Sequence, residues 1–214
     1  MGHGNLVNFV TKSSKARHIE SHIESYMESN IYPQIESGWL ASAKRVESPN
    51  ADCRTDESDI SLLVIHNISL PPGQFGGPHV EQLFTNRLNL EEDPYFADIA
   101  HLKVSAHLLI DRLGQIIQFV PFHRRAWHAG VSEFEGRSAC NDYSIGIELE
   151  GTDDLAYTES QYQSLTAITQ SLLAHYPQLS KERIVGHSDI APQRKTDPGA
   201  AFDWAYFRSQ ILRR

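Results

Sequence analysis

The chain has 214 residues, 40% of them hydrophobic and 21% charged, which are the proportions of an ordinary globular protein with a core. Its formal net charge of -8 argues against a nucleic acid or an acidic lipid surface as main partner, because binding to polyanions normally needs a basic surface. No apolar run reaches the roughly 20 residues that span a bilayer, and the N-terminus lacks the basic-then-apolar pattern of a secretory signal. We therefore expect a cytoplasmic protein without a nucleic-acid or membrane partner, and no protein partner is readable.

The two cysteines, Cys53 and Cys140, are too few for a disulfide scaffold and do not form a CxxC pair, so we expect two reduced thiols. Composition divides the chain near residue 35. Before that point it is polar, and only Ile19, Ile23 and Met27 are spaced to form one side of a short helix, a stripe that buries little area. We expect an N-terminal extension of unknown role at residues 1–35 and one domain at residues 36–214.

The first strong strand signal is the continuous apolar run at residues 62–65, which is typical of a strand buried on both faces and ends at His66. Prolines and glycines between residues 71 and 78 then predict a loop. Pro78 can open a helix that runs through Phe84, because the N–H that proline lacks is not needed at that position.

Two further strand patterns follow. Residues 104–110 and 115–120 flank a turn at residues 111–114, which predicts a hairpin. Residues 143–150 alternate, so that one face carries Tyr143, Ile145, Ile147 and Leu149, and the other carries Ser144, Gly146, Glu148 and Glu150. Both carboxylates are therefore expected to point into the same space.

The clearest helix signal covers residues 158–175, where Thr158 and Gln161 form a capping box and Pro177 ends the helix. A short strand at residues 183–186 then leads to His187, and Asp203 can cap a last helix. Strands and helices in alternation predict an α/β layered sheet.

Three side chains have the chemistry of a metal site. His66 and His187 each follow a short apolar strand, and Asp197 lies ten residues beyond His187 in a loop that contains prolines. Two imidazoles and one carboxylate suit Zn²⁺, and three protein ligands leave the fourth tetrahedral position open for water, as catalysis requires. The pattern alone leaves a second interpretation open, because a histidine at a strand end is more often hydrogen-bonded in a turn than bound to metal.

From about residue 37 onward the chain resembles the zinc-dependent N-acetylmuramoyl-L-alanine amidases, a family that also includes phage lysozyme-like amidases and animal peptidoglycan recognition proteins. The resemblance is carried by five segments, at residues 38–40 (GWL), 62–73 (LLVIHNISLPPG), 126–131 (AWHAGV), 141–151 (NDYSIGIELEG) and 186–199 (GHSDIAPQRKTDPG). It implies a mixed central β-sheet flanked by helices with a zinc-bearing groove. It also implies cleavage of the bond between N-acetylmuramic acid, including its 1,6-anhydro form, and L-alanine of muropeptides during cytoplasmic peptidoglycan recycling.

The resemblance also implies roles for individual residues. One zinc ion per chain would be held by His66, His187 and Asp197, and zinc can lower the pKa of water to about 7. Glu148 matches the catalytic acid/base of the family, and Lys195 matches a second catalytic residue that would stabilise an oxyanion. Glu150 is the rival carboxylate, for which we expect a salt bridge or a contact to a metal ligand.

Candidate substrate contacts are less specific. Asn67, Trp127 and His128 are suggested because sugar rings favour amide hydrogen bonds and aromatic faces, although Trp127 also fits a core position. The resemblance implies a basic residue where this chain has Ala139, so the contact to a peptide or sugar carboxylate is either lost or made by nearby Arg137. A structural, half-buried side chain is expected for His107, with a hydrogen bond to a metal ligand as the alternative.

Three other functions are open. An exported amidase that digests whole cell walls is disfavoured by the expected absence of a signal sequence. A module that binds muropeptides without cutting them is disfavoured because the three ligands and Glu148 are all present. A serine hydrolase that uses Ser188, His187 and Asp189 is disfavoured because no G-x-S-x-G motif exists.

Overall fold

The computed structural model describes residues 32–212, and the compact unit that contains the central sheet begins at Pro33. The helical stripe predicted at residues 19–27 lies outside the described residues. The strands are β1 (Ile35–Glu36), β2 (Trp39–Leu40), β3 (Lys44–Arg45), β4 (Ala51–Cys53), β5 (Leu62–Ile68), β6 (Leu108–Ile110), β7 (Ile116–Gln118), β8 (Arg124–Ala126), β9 (Glu133–Phe134), β10 (Arg137–Ser138), β11 (Ser144–Glu150) and β12 (Ile184–Gly186). The helices are α1 (His79–Phe84), α2 (Phe96–Ile99), α3 (Glu159–His175), α4 (His187–Ile190) and α5 (Trp204–Leu212).

Six strands form the central sheet, in the order β12-β5-β11-β6-β7-β3. The first four are parallel to one another, β7 is antiparallel to β6, and β3 is parallel to β7. The register of β11 on β5 sets Glu148 opposite His66. The predicted mixed sheet with flanking helices is therefore confirmed.

Side chains along a strand alternate between the two faces of the sheet, and the two faces carry different kinds of residue. Apolar side chains on one face pack against helices α3 and α5 in the main core; they are Leu63, Ile65, Ile145, Ile147 and Leu149 from the strands and Leu165, Ile168, Leu172, Phe207 and Ile211 from the helices. The other face of β5 carries Leu62, Val64 and then His66, and the other face of β11 carries Glu148. The second face is covered by shorter helices, since Ile190 of α4 packs with Leu62 and Val64, and α1 and α2 pack in one cluster with Leu109 of β6. His66 and Glu148 lie side by side on this second face.

The capping box predicted at the start of the long helix is confirmed. The backbone N–H of Gln161 donates to the Thr158 hydroxyl over 3.1 Å, and the backbone N–H of Thr158 donates to Oε1 of Gln161 over 3.1 Å. Asp203 likewise caps the last helix, since its carboxylate accepts from the backbone N–H of Tyr206 over 2.8 Å. Both helices therefore begin where the sequence predicts, and this alignment places their apolar sides on the sheet.

Three predicted elements differ in detail. Strand β5 continues through His66 to Ile68, because its backbone stays paired with β11 over seven residues, so His66 lies inside the strand. The hairpin strands are shorter than predicted, at Leu108–Ile110 and Ile116–Gln118. Tyr143 precedes β11 and packs with Leu62 and Val64, so its predicted place on the face of Ile145 is wrong.

Within residues 32–212 no helix combines the length and the apolar character that crossing a membrane requires. Both cysteines are free thiols, with Cys53 exposed and Cys140 buried, as the sequence predicts.

Candidate metal-dependent active site

His66, His187 and Asp197 meet on the second face of the sheet, which also carries Glu148. Nδ1 of His66 lies 3.0 Å from Nδ1 of His187 and 3.0 Å from Oδ2 of Asp197, and Nδ1 of His187 lies 3.0 Å from the same carboxylate oxygen. The two imidazoles are almost completely buried, with exposed fractions of 1% and 3%. Three donor atoms therefore converge on one small volume.

This donor set fits a zinc-like ion. Tetrahedral zinc binds histidine nitrogen and carboxylate oxygen at about 2.0–2.2 Å, which separates neighbouring donors by about 3.3 Å. The three separations of 3.0 Å are close to that value. Burial lowers the pKa of His66 to about 4, so its imidazole is neutral near pH 7 and can offer a lone pair. Burial opposes ionisation of Asp197, but hydrogen bonds from His187 and His66 hold the pKa of its carboxyl below the usual range.

Local structure fixes the position of the two ligands that follow β12. His187 is the first residue of α4, and Asp189 caps this helix by accepting the backbone N–H of Gly186 over 2.7 Å. The loop that carries Asp197 is held where the Asp197 carbonyl accepts from the backbone N–H of Ser188, over 3.0 Å. Beyond it, Gly199 has a φ of +80°, and a Cβ there would lie 2.1 Å from Cα of Asp153. Only glycine fits so close an approach.

Glu148 is the buried carboxyl beside the ligands. Its exposed fraction is 8%, and among the described residues its Oε2 has no hydrogen-bond partner. Burial raises the pKa of Glu148 well above the usual value, the charge of Asp197 raises it further, and the charge of Lys195 lowers it. A carboxyl with a raised pKa and a free oxygen is suited to accept and release a proton near neutral pH.

Glu150 has a different environment, although it lies on the same face of β11. Its Oε1 accepts the backbone N–H of Gly76 over 2.5 Å, and its Oε2 accepts the backbone N–H of Arg112 over 3.1 Å. Both oxygens are therefore engaged in joining two loops to the sheet. In place of the expected salt bridge or contact to a metal ligand, Glu150 binds backbone amides.

The predicted substrate residues are distributed around the cluster. Asn67 follows His66 and donates from its amide to Asp153 over 2.8 Å. Trp127 is half-buried, and its side chain helps to lower the pKa of Asp52, to which Arg125 contributes most. The guanidinium of Arg137 pairs with Asp59 and lies over the ring of Tyr143. The substrate contacts of Asn67, Trp127 and Arg137 therefore stay predictions.

His128 and Lys195 lie nearer to the ligands. Nδ1 of His128 is 2.9 Å from Nε2 of His66, so the His128 ring contacts this predicted metal ligand through the ring nitrogen that does not face His187 and Asp197. Lys195 is exposed, and its charge acts on both Glu148 and His66. His107 is fully buried, so its predicted half-burial is wrong. It accepts the backbone N–H of Gly146 over 3.0 Å, a contact that fits the expected structural role.

Sequence reasoning missed Arg194. Its guanidinium donates to the carbonyls of Ala129 and Val131, each over 2.7 Å, and the Ala129 carbonyl also lies 3.1 Å from Nε2 of His187. Arg194 thus holds the loop that supports one ligand. Its place directly before Lys195 was the available signal.

The geometry does not fit the serine hydrolase. The Asp189 carboxylate caps α4, and both nitrogens of His187 are engaged, one with Asp197 and His66 and the other with the Ala129 carbonyl. The imidazole therefore has no nitrogen left to activate Ser188.

Fold, converging ligands and buried carboxyl together define a hydrolase of the amidase type, and the chain belongs to the N-acetylmuramoyl-L-alanine amidase family, whose sequence profile matches residues 56–200. It is 62% identical over 174 residues to the 1,6-anhydro-N-acetylmuramyl-L-alanine amidase AmpD of Escherichia coli K12, covering 81% of this chain and 94% of that protein. The crystal structure of a selenomethionine AmpD derivative is 60% identical, with a TM-score of 0.81, and covers 83% of this chain and 99% of that one.

A complex of AmiD from E. coli with the substrate anhydro-N-acetylmuramic acid-L-Ala-D-γ-Glu-L-Lys is 26% identical, with a TM-score of 0.53. It covers 85% of this chain and 66% of that chain. The family, the fold and the muropeptide amidase activity predicted from the sequence are thereby confirmed.

Proposed function

We propose that this amidase hydrolyses the bond between 1,6-anhydro-N-acetylmuramic acid and L-alanine of muropeptides, using one zinc ion, in cytoplasmic peptidoglycan recycling. The observation that carries the proposal is the convergence of His66, His187 and Asp197 at 3.0 Å separations beside the buried Glu148. The anhydro-sugar specificity is supported by the 62% identity to an enzyme of that name.

Zinc, when bound by His66, His187 and Asp197, would act as a Lewis acid on the lactyl carbonyl and lower the pKa of water to about 7. Glu148 would accept the proton that water loses as the new C–O bond forms. The same carboxyl would then give this proton to the amine of L-alanine as the C–N bond breaks. Its raised pKa supports both steps, because an acid/base works best when its pKa lies near the working pH.

Lys195 would stabilise the negative charge that develops on the lactyl oxygen in the tetrahedral intermediate. Its side chain is exposed, and its charge already acts on Glu148 and His66. A well-placed donor of this kind is worth about 3 kcal/mol of transition-state stabilisation.

Substrate contacts on the groove are proposed for Asn67, Trp127 and Arg137. A cleft of about 510 Å³, lined by Gly130, Val131, Ser132, Glu133, Ser138, Ala139 and Ile190, lies next to this part of the site. That volume is typical of small-molecule sites. Gly130, which lines the cleft, directly follows Ala129, whose carbonyl contacts Nε2 of His187. We propose that it receives part of the muropeptide.

Digestion of a purified anhydro-muropeptide tests the proposed function. Mass spectrometry should detect free anhydro-N-acetylmuramic acid sugar and a peptide with a new L-alanine N-terminus, and a chelator should abolish turnover until zinc is restored. Undiminished cleavage after complete removal of metal would contradict the zinc chemistry. Tight binding of the muropeptide without any product would instead favour the non-catalytic module.

The domain division and the location complete the proposal. We propose that residues 36–214 are the amidase domain, so a chain that lacks residues 1–35 should keep kcat/KM within about threefold. A loss of more than tenfold would assign the extension to the site.

Cell fractionation checks the proposed cytoplasmic location, and recovery outside the cytoplasm would favour the exported amidase.

A further inference from the structure

His66 uses its two ring nitrogens in opposite directions. Nδ1 faces His187 and Asp197, at 3.0 Å from each, and Nε2 faces Nδ1 of His128 at 2.9 Å. The His66 and His128 rings meet edge-on, with an interplanar angle of 83° and centroids 5.0 Å apart. Nε2 of His128 in turn lies 3.1 Å from the hydroxyl of Ser144.

Metal binding would fix the direction of these hydrogen bonds. A neutral imidazole carries one N–H and one lone pair. A lone pair on Nδ1 of His66 that faces a metal requires the proton on Nε2, so the 2.9 Å contact is a hydrogen bond only if Nδ1 of His128 accepts. The proton of His128 is then on Nε2 and is donated to the Ser144 hydroxyl.

The two histidine ligands are supported in different ways. His187 can donate from Nε2 to the carbonyl of Ala129 over 3.1 Å, and a carbonyl only ever accepts. His66 depends on a side chain that could adopt either tautomer.

The strand leaves room for the His128 ring at one residue. Gly146 lies on β11 between Ser144 and Glu148, and a Cβ built there would be 2.4 Å from Cγ of His128. The backbone of His128 is held as well, because its N–H donates to Oδ1 of Asn141 over 3.2 Å. The ring is therefore held from the sheet side and from its own loop.

We propose, on the basis of the metal site proposed above, that His128 is a positioning residue for His66. It accepts the Nε2–H of His66, thereby fixes the tautomer and orientation that present Nδ1 to zinc, and is itself oriented by Ser144. This replaces the substrate contact predicted for His128 from the sequence.

Two substitutions separate positioning from packing. His128→Phe keeps a ring but removes the acceptor, and should weaken zinc binding by about 10- to 100-fold, the effect typical of the groups that support metal ligands. His128→Asn can place its Oδ1 near the position of Nδ1 and should stay within about threefold of the parent affinity. The affinities are measured by competition with a chromophoric chelator, and the Tm of each metal-free variant reports packing.

Long-range ¹H–¹⁵N NMR of the zinc-loaded protein provides a readout independent of affinity. His66 and His128 should both carry the proton on Nε2. A proton on Nδ1 of His128 would overturn the inference, as would a His128→Phe variant that binds zinc as tightly as the parent. Equal weakening of both variants together with lower metal-free Tm values would also overturn it, in favour of packing. If the parent chain itself binds no zinc, the proposed function fails as well, so the two failures are distinguishable.

Discussion

Replacing Glu148 with glutamine is expected to lower kcat by about 10³-fold, the range of effect of a general acid/base, while zinc affinity stays within a few-fold of the parent. The amide keeps the size of the side chain but can neither accept the proton of water nor return it to the leaving amine. Glu148 can accept the proton of water only while its carboxyl is deprotonated. The rate of the parent should therefore fall as the pH falls through the raised pKa of Glu148. This acidic limb should be absent from the residual activity of the variant.

Glu150→Gln is the matched control, two residues away on the same face of β11. Its carboxylate accepts backbone N–H groups of Gly76 and Arg112, so the expected effect is on the loops and not on proton transfer. We expect a lower Tm and a kcat within about tenfold of the parent, since a glutamine oxygen can keep one of the two bonds. Steady-state kinetics and a zinc titration on both variants decide the matter. A Glu148→Gln enzyme with a kcat near that of the parent would contradict the assignment.

The sequence predicted the parts of the fold that depend on local pattern. The apolar run of β5, the alternation of β11 and the Thr158 capping box each contain their own signal, and all three are present in the structure. The end of β5 was not predictable in the same way. Whether the strand stops at His66 depends on pairing with β11, about 80 residues away, and that pairing continues to Ile68.

The same limit applies to the candidate site. His66, His187 and Asp197 could be chosen from residue chemistry and family resemblance, and the structure brings them together. The contacts around them come from long-range packing that leaves no local pattern. His128 is a candidate groove residue from the sequence because sugar rings favour aromatic faces, but its contact with Nε2 of His66 at 2.9 Å has no sequence signal.

Arg54 is the clearest case of a residue without a sequence signal. It is buried, and its guanidinium donates to the carbonyls of Phe122, Asn141, Asp142 and Ser144 over 2.7 to 3.1 Å. Burial lowers its pKa to about 10, so it stays charged near neutral pH. Three of the four carbonyls lie at residues 141–144, the segment that enters β11 and contains Asn141 and Ser144, which contact His128.

Replacing Arg54 with methionine is therefore expected to destabilise the protein by about 3 kcal/mol. Each buried carbonyl left without a donor costs about 1–3 kcal/mol, and relief from burying a charge offsets part of the sum. Arg87→Met is the matched control, because that guanidinium is largely exposed and lies 3.8 Å from Glu81, a surface pair worth less than about 1 kcal/mol. Urea unfolding of the metal-free proteins measures both free energies. Equal stabilities for the two variants would show that residues 141–144 keep their conformation without the buried guanidinium. A loss of stability confined to Arg54→Met, together with weaker zinc binding, would connect residues 141–144 to the metal site through His128.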